Sequence, residues 1–382
     1  MCCPYLWSIS QTTVILSNPF AEFLIFASMS FGKKIIVCPL DWGLGHATRC
    51  IPVIRELQRQ GAHVLIASSG NALHLLKLEF PDLQFFELPA YRPVYSTKIS
   101  MAFKMLAQMP GFMRVVSAER LAIEHLVKAH KIDVVISDNR YGCWSSDAKS
   151  VLITHQLSLL MPWGWSWVGP FVNSFTRQYM LKFDQIWIPD QPNSGLTTRF
   201  VPNTINNLLY IGWLSRFGTV NSVEKKYEII ALVSGPEPQR RMFEKNLTNQ
   251  LMRSGLKSLL VAGEPETPYR RQQGCLEVVN HLSSSELQES ILASETVISR
   301  SGYSTVMDLI ALKKKVVFVP TPQQTEQIFF AEYLKENEIA FAVRQSEFLL
   351  EEALERSKKY KGMGTFNMEN GYLARAIEKI LS

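Results

Sequence analysis

The sequence predicts an α/β protein with two Rossmann-like halves, each built on a parallel sheet, that face a central cleft. Short apolar runs alternate with helical patterns along the chain, which is typical of parallel strands covered by helices. Two of these runs, residues 35–40 and 296–299, lead into glycine-containing turns that open helices. Ligands of such sheets bind outside the carboxyl ends of the strands, so we expect both turns to line the cleft.

The first half begins with a Gly-x-Gly turn. Strands are predicted near 35–40, 62–67, 83–88, 133–137, 151–155 and 185–189, and helices near 46–60, 71–79, 100–109 and 115–130. The turn is Asp41-Trp-Gly-Leu-Gly-His-Ala-Thr-Arg49. A dinucleotide site needs a third Gly or Ala near Thr48 and an acid after the second strand, which instead ends in Ser68-Ser-Gly70. The sequence therefore disfavours a nicotinamide or flavin enzyme and predicts no cofactor.

The second half repeats the alternation and carries the more informative motif. Strands are predicted at 227–233 and near 258–262, 276–280, 296–299 and 315–319, with helices near 239–253, 285–293, 303–312, 326–336, 347–358 and 368–381. The motif Arg300-Ser-Gly-Tyr-Ser-Thr-Val-Met-Asp308 places a carboxylate one turn into a helix. Free N–H groups at a helix N-terminus bind diphosphates, and such an acid can accept hydrogen bonds from ribose. A nucleoside diphosphate site is our interpretation, and a simple helix cap is the alternative.

Polar, weakly patterned residues divide the chain into domains. We expect a linker at 216–226 between an N-terminal domain, 32–215, and a C-terminal domain, 227–382, whose last helix packs back on the first. Residues 1–31 are apolar and contain no Lys or Arg, so they lack the basic region with which a signal peptide begins. Their densest apolar run, 23–27, is too short to span a membrane. We expect them to form a poorly ordered extension.

Composition describes an ordinary globular protein. Hydrophobic residues make up 47% and charged residues 19%, and the net charge of +6 comes without a long Lys/Arg run or a nucleic-acid motif. A nucleic-acid partner is therefore not predicted, whereas attraction to an anionic membrane face or an anionic sugar donor stays open. The six cysteines form no Cys-x-x-Cys pair, which disfavours a zinc site or a disulfide framework and favours the cytoplasm.

The paired motifs resemble a known family. Gly43-Leu-Gly-His46, with Arg300-Ser-Gly302, Asp308, Val319-Pro320 and Glu326-Gln327, is similar to the GT-B glycosyltransferases over about residues 33–345. The likeness is to glycosyltransferase family 28, which contains the transferase that adds N-acetylglucosamine to lipid II precursors. Predicted glycosyltransferases with a Gly-x-Gly-His-Ala-Thr-Arg motif look closer still. The resemblance implies inverting, metal-independent transfer of a hexose or N-acetylhexosamine from a nucleotide sugar, usually UDP-linked, to a lipid-linked or cell-envelope glycan.

The resemblance also implies a donor site. Asp308 would hold the ribose, the backbone at Leu282 the base, and Glu326 with Gln327 the donor sugar. Donor-side residues would further be Gly43, Gly45, Gly235, Arg300, Ser301, Gly302, Tyr303, Ser304 and Thr305. The turn 234–240 lies where the family has a second phosphate loop, but prolines at 236 and 238 lack N–H donors. Arg240 or Arg241 would then supply the charge.

His46 is the candidate base. Inverting transfer needs a group to take the proton of the acceptor hydroxyl, and an imidazole with an ordinary pKa of about 6.5 suits that role. A capping or diphosphate-contacting role for His46 is an equal alternative. Asp138, at the end of strand 133–137, is the candidate orienting acid, with Asp41 as a second option. A plain turn acid is the preferred alternative reading of Asp138.

The acceptor side is expected around His155, Trp163 and Trp165. His155 follows a strand, and the tryptophans belong to Met161-Pro-Trp-Gly-Trp-Ser-Trp167. Tryptophan suits both sugar stacking and a membrane interface, so peripheral contact at the inner face of the cytoplasmic membrane is one expectation. A structural role for His155 and a buried packing role for the tryptophans are the alternatives.

Other functions remain compatible with these motifs. A nucleotide-sugar hydrolase would share the glycine turn and use water as the acceptor. A non-hydrolysing epimerase would return a new sugar nucleotide. A nucleotide-sugar-binding protein without catalysis represents a different class. The sugar, the acceptor and the oligomeric state leave no signature in the sequence.

Overall fold

The computed structural model describes residues 32–91, 101–158, 167, 169–192, 196–197, 207–218, 223–263, 269–367, 369 and 371–382. The architecture below is that of the compact unit Lys33–Ser382. The extension predicted at residues 1–31 lies outside the described residues.

The first half is a seven-stranded, wholly parallel sheet with helices between its strands. Its elements are β1 (Lys34–Pro39), α1 (Leu44–Arg59), β2 (His63–Ser68), α2 (Gly70–Glu79), β3 (Gln84–Glu87), α3 (Met101–His130), β4 (Val134–Asp138), β5 (Lys149–Ile153), α4 (Gly169–Met180), β6 (Gln185–Ile188) and β7 (Leu208–Tyr210). The strand order is β3-β2-β1-β4-β5-β6-β7, so the direction of winding reverses between β1 and β4. Open α/β sheets bind ligands at such a switch point.

The second half repeats this plan. Its elements are β8 (Tyr227–Leu232), α5 (Gln239–Ser254), β9 (Ser258–Val261), β10 (Arg270–Gln273), β11 (Leu276–Val279), α6 (Ser284–Leu292), β12 (Ser294–Ser299), α7 (Tyr303–Ala311), β13 (Lys315–Phe318), α8 (Thr325–Glu336), β14 (Phe341–Ala342), α9 (Leu350–Ser357) and α10 (Tyr372–Leu381). The order is β10-β11-β9-β8-β12-β13-β14, with its switch point between β8 and β12. The two halves form the expected α/β fold of two Rossmann-like domains.

Two expectations about elements are corrected. The sheet of the second half is not wholly parallel, because β10 pairs antiparallel with β11 at one edge. All four residues of β10 are polar and exposed, so the strand gives no apolar signal. The helices expected at 100–109 and 115–130 are one helix, α3, which continues through Pro110.

Hydrophobic packing unites the halves. Central strands such as β1 and β4 are runs of Ile and Val with almost no exposed surface, as expected for strands covered on both faces. One apolar cluster contains residues from both sheets. The C-terminal α10 packs on α1, where Gln60 donates to the Ala374 carbonyl at 2.9 Å. The tyrosine hydroxyl of Tyr303 also reaches the Pro189 carbonyl at 2.6 Å.

Candidate active site

The carboxyl ends of both sheets line one cleft of about 1440 Å³. The first half contributes the predicted residues Gly43, Gly45, His46 and His155. The second half contributes Gly235, Arg240, Leu282, Gly302, Tyr303, Ser304, Thr305, Asp308, Glu326 and Gln327. Asp138, Arg300 and Ser301 lie behind this lining, and Trp163 and Trp165 lie outside the described residues.

The turn after β1 places His46 in the first turn of α1. Gly43 is the N-cap residue and has φ 81°, a left-handed conformation that favours glycine. Gly45 lies against the second half, because its carbonyl accepts a hydrogen bond from Ser304 Oγ at 2.8 Å. A Cβ at Gly45 would lie 3.2 Å from that hydroxyl oxygen. The first glycine therefore shapes the turn, and the second permits close approach of the two halves.

Strand register brings Asp138 to His46. Asp138 ends β4 opposite Pro39 of β1, at the switch point of the first sheet. Its Oδ2 lies 3.1 Å from His46 Nδ1. The other candidate acid, Asp41, instead lies 3.3 Å from Arg140 and accepts from the backbone N–H of Tyr91 at 3.2 Å.

Arg49, the last residue of the glycine motif 41–49, is an additional residue of the site. Its side chain is only 2% exposed, and its Nε donates to both oxygens of Asp138 at 2.9 and 2.8 Å. Its Nη2 also donates to Asp138 Oδ1 and lies 2.8 Å from His46 Nδ1. The spacing of His46 and Arg49, three apart on one helix, is the signal that could have identified it.

This cluster fixes the charges around the candidate base. Burial would raise the pKa of Asp138, but the charges of Arg49 and His46 outweigh it and lower the pKa to about 2. Burial, reinforced by Arg49, lowers the pKa of His46 despite the opposing effect of Asp138. A neutral imidazole beside an ionised carboxylate is the arrangement that general-base chemistry needs.

His155 connects the two halves across the cleft. It follows β5, its Nδ1 lies 2.9 Å from Arg49 Nη1, and its Nε2 lies 3.2 Å from Glu326 Oε1. Its ring stacks on Tyr303 with centroids 4.1 Å apart. Gln156 donates to the other oxygen of Glu326. Burial would raise the pKa of Glu326, but His155 and Arg49 lower it.

Helix α7 directs an uncapped N-terminus into the cleft. Gly302 is its N-cap residue, and no side chain caps it. Ser301 supports the turn from behind by donating to the Gln327 carbonyl at 2.7 Å. The Gln327 amide is held as well, because its Oε1 accepts from the Thr321 N–H at 2.9 Å. The first N–H groups of α7 are therefore available to an anion in the cleft.

Asp308, one turn further along α7, is held by the segment that joins the two halves. Its Oδ1 accepts from Ser215 Oγ at 2.8 Å and from the Arg216 N–H at 3.3 Å, and its Oδ2 accepts from Arg216 Nε at 3.1 Å. Burial raises the pKa of Asp308 more than these partners lower it. A ribose at Asp308 would have to replace some of these contacts.

Arg240 and Arg300, both expected on the donor side, are held by protein groups. Arg240 pairs with Glu237 and Glu244, each at 2.8 Å, and donates to the Ala262 carbonyl. Its charge is therefore already balanced. Arg300 is a correction, because its side chain is fully buried behind the cleft. It donates to the carbonyls of residues 319, 320 and 239, and burial lowers its pKa to about 9.

Two further features concern only the part of the chain that the structure describes. There, no group of three or more His, Cys, Asp or Glu side chains is placed to hold a metal ion. None of the described helices combines the length and the apolar character that crossing a membrane requires.

The fold is the one that GT-B glycosyltransferases have, and comparisons with known proteins support this likeness. Residues 264–370 match the glycosyltransferase family 28 C-terminal domain. An uncharacterized glycosyltransferase of Methanosarcina mazei is 25% identical over 320 residues, 77% of this chain and 81% of the relative.

Solved structures show the same fold at low sequence identity. MurG of Acinetobacter baumannii has a TM-score of 0.54 and 14% identity, over 91% of this chain and 99% of its own. The Streptomyces sp. SF2575 glycosyltransferase SsfS6, in complex with thymidine diphosphate, has a TM-score of 0.55 and 16% identity, over 91% and 95%. The match to residues 264–370, the relative and the shared fold together support a glycosyltransferase of the GT-B type.

Proposed function

We propose that the protein transfers a hexose or N-acetylhexosamine from a nucleotide sugar to a hydroxyl group, with inversion and without a metal ion. One observation carries the proposal: His46, paired with Asp138, lines the same cleft as the uncapped N-terminus of α7. A base and an anion site on opposite walls are what a single displacement at a sugar carbon requires.

The chemistry follows from that arrangement. The Nδ1 of His46 faces Asp138, so Nε2 is the nitrogen left to take the proton of the acceptor hydroxyl. The acceptor oxygen forms a bond to the anomeric carbon while the bond from that carbon to the diphosphate oxygen breaks. The nucleoside diphosphate leaves toward the N–H groups and positive dipole end of α7. Attack opposite to the leaving group inverts the anomeric configuration.

Donor recognition would use the wall formed by the second half. Asp308 would accept from ribose hydroxyls, the Leu282 backbone would face the base, and Glu326 with Gln327 would contact the sugar. The thymidine diphosphate complex of the SsfS6 neighbour supports a nucleoside diphosphate in a cleft of this fold. Uridine as the nucleoside follows from the resemblance to family 28.

The acceptor would be a lipid-linked or cell-envelope glycan presented at a membrane. A surface of the first half that carries cations and exposed leucines supports this, and Arg120 on that surface is also paired with Glu124. The Arg120 guanidinium stacks on Trp144 at 3.7 Å, and Lys182 Nζ lies 5.8 Å from the same ring. Their sequence neighbours Leu121 and Leu181 are 74% and 63% exposed. Exposed leucines beside cations suit peripheral contact with anionic lipid.

Thermal shift with UDP-, GDP-, CDP- and dTDP-sugars in a chelator-containing buffer tests the donor half of the proposal. A ligand at 100 times its Kd stabilises the fold by about 2.7 kcal/mol, so a bound donor gives a measurable shift. Stabilisation by one nucleotide class is expected. If none of the four sugars shifts the melting temperature, the proposed donor site is refuted.

Turnover assays with the bound donor test the chemistry. We expect transfer to a membrane-extracted lipid glycan acceptor, with free nucleoside diphosphate as the second product. Free sugar at full rate without acceptor would identify a hydrolase, and a new sugar nucleotide without free diphosphate would identify an epimerase. His46→Gln should lower turnover by about 10²–10⁴-fold while donor binding is kept.

A further inference from the structure

Arg49 occupies the centre of the candidate site and touches three of its groups. Its guanidinium contacts the Asp138 carboxylate, His46 Nδ1 at 2.8 Å and His155 Nδ1 at 2.9 Å. Arginine is always charged and only donates hydrogen bonds, so every nitrogen that faces it must accept. The positions of the ring protons on both histidines can be deduced from this restriction.

The proton of His155 is fixed by two neighbours. Its Nδ1 accepts from Arg49 Nη1, so the ring proton resides on Nε2. That nitrogen lies 3.2 Å from Glu326 Oε1, a carboxylate oxygen that can only accept. The two demands agree, and stacking on Tyr303 holds the ring in this orientation. Arg49, His155 and Glu326 therefore form a continuous chain of hydrogen bonds from α1 to α8.

The proton of His46 is subject to two opposite demands at one nitrogen. Arg49 Nη2, at 2.8 Å from Nδ1, requires a lone pair there and leaves the ring proton on Nε2. Asp138 Oδ2, at 3.1 Å, requires the proton on Nδ1 and leaves the lone pair on Nε2. Only the second form can act as a general base through Nε2.

We propose that Arg49 is a positioning residue that sets the tautomer of His46 and holds it, in the absence of acceptor, with the proton on Nε2. The Arg49 contact is the shorter of the two, and Asp138 already accepts several hydrogen bonds from Arg49. An acceptor hydroxyl that donates to Nε2 favours the other tautomer, in which Nδ1–H donates to Asp138. In this change water takes the proton from Nε2 and another proton is returned to Nδ1, while Arg49 Nη2 gives up His46 and keeps its hydrogen bond to Asp138 Oδ1. Acceptor binding thus produces the base-competent ring, with no net gain or loss of protons.

This assignment rests on the proposed function, in which His46 is the base. It differs from a purely structural role for Arg49, because a structural arginine would stabilise the fold without dictating which nitrogen of His46 carries the proton. Its consequence is that Nε2 of His46 carries the ring proton, and cannot take another, until an acceptor hydroxyl that donates to it is in place.

The test is a long-range proton–nitrogen NMR spectrum of the full chain labelled with ¹⁵N-histidine, recorded above the pKa of the imidazoles. The chain has 7 histidines, and spectra of His46→Gln and His155→Gln identify the two signals. Both rings should carry the proton on Nε2 in the wild-type protein. A His46 signal with the proton on Nδ1 would overturn the proposal without recourse to any variant of Arg49.

Arg49→Lys is the matched variant, because it keeps a cation beside Asp138 but loses the fork that reaches both histidines. The ratio of the His46 tautomers should move toward Nδ1–H by about tenfold, since a hydrogen bond from a charged donor is lost. Donor affinity should stay within about twofold while donor hydrolysis without acceptor increases. If the His46 tautomer ratio is unchanged in a folded Arg49→Lys protein, Arg49 has only a structural role.

Nucleoside diphosphate binding is measured on the same labelled samples. If UDP, GDP, CDP and dTDP all fail to bind, the proposed function is refuted, but the result on the His46 tautomer still stands. Binding together with the wrong tautomer would remove only the role assigned to Arg49.

Discussion

Replacing Asp138 with Asn should destabilise the protein because it leaves the Arg49 charge buried without a carboxylate. The Arg49 side chain is 2% exposed, the Asp138 side chain is fully buried, and several hydrogen bonds join them. Breaking a buried ion pair by removing one partner costs about 3 kcal/mol or more. We expect a loss of about 3 kcal/mol in the free energy of unfolding at pH 7, measured by urea denaturation.

Two comparisons separate this cause from general damage. Asp133→Asn, at the base of the same strand, loses only a carboxylate that accepts from the Lys34 N–H at 2.7 Å, and should cost about 1 kcal/mol. Arg49→Met combined with Asp138→Asn should be less destabilised than the sum of the single changes, because the uncompensated cation is gone. Strict additivity of the two changes would refute the ion-pair account.

Acid titration checks the same pair independently. The pKa of Asp138 is lowered in the folded protein from an ordinary 3.8 to about 2, so its ionised form stabilises the fold. This stability, about 2 kcal/mol, is present above pH 4 and is lost as the pH falls toward 2. Asp138→Asn should lack this component, so the two proteins should converge in stability as the pH falls. Parallel curves would contradict the lowered pKa.

Three other predictions follow from single contacts. His46→Gln should lower turnover by about 10²–10⁴-fold and leave the Kd for the donor unchanged in titration calorimetry; a retained rate would exclude His46 as the base. Arg216→Ala should tighten nucleoside diphosphate binding about fivefold, because a competitor worth about 1 kcal/mol for Asp308 is removed, and weaker binding would mean that Arg216 contacts the ligand itself. Gly142→Ala should lower the melting temperature sharply, since its Cβ would lie 2.2 Å from the Val116 carbonyl oxygen. Gly111→Ala, with open space around its Cβ, should be neutral or stabilising, and equal melting temperatures of the two variants would contradict this packing.

The fold could be predicted because its signals are local. Runs of Ile and Val that end in glycine turns specify buried parallel strands, and β1, β8 and β12 lie where those runs stand. Strand β10 escaped prediction because its residues are polar and exposed, and its pairing with β11 is its only strand feature. Two helices were expected where the structure has the single helix α3, which continues through Pro110.

The candidate site could be predicted only in part, because partners across the cleft are not encoded locally. The His46 turn and the α7 motif are contiguous in sequence and were recognised as a pair. Arg49 was missed because its ion pair with Asp138 joins residues 89 positions apart. Arg300 stands in the predicted motif, but only the packing reveals that its side chain turns into the interior.

The most direct test of the account is calorimetric titration of the wild-type chain, without metal, against UDP, GDP, CDP and dTDP, with Asp308→Ala and Asp308→Asn in parallel. The account predicts that one nucleoside diphosphate binds in a single site and that loss of the carboxylate weakens it in both variants. Absence of binding by all four, or binding that is indifferent to Asp308, would contradict the assignment of this cleft to a nucleotide-sugar donor.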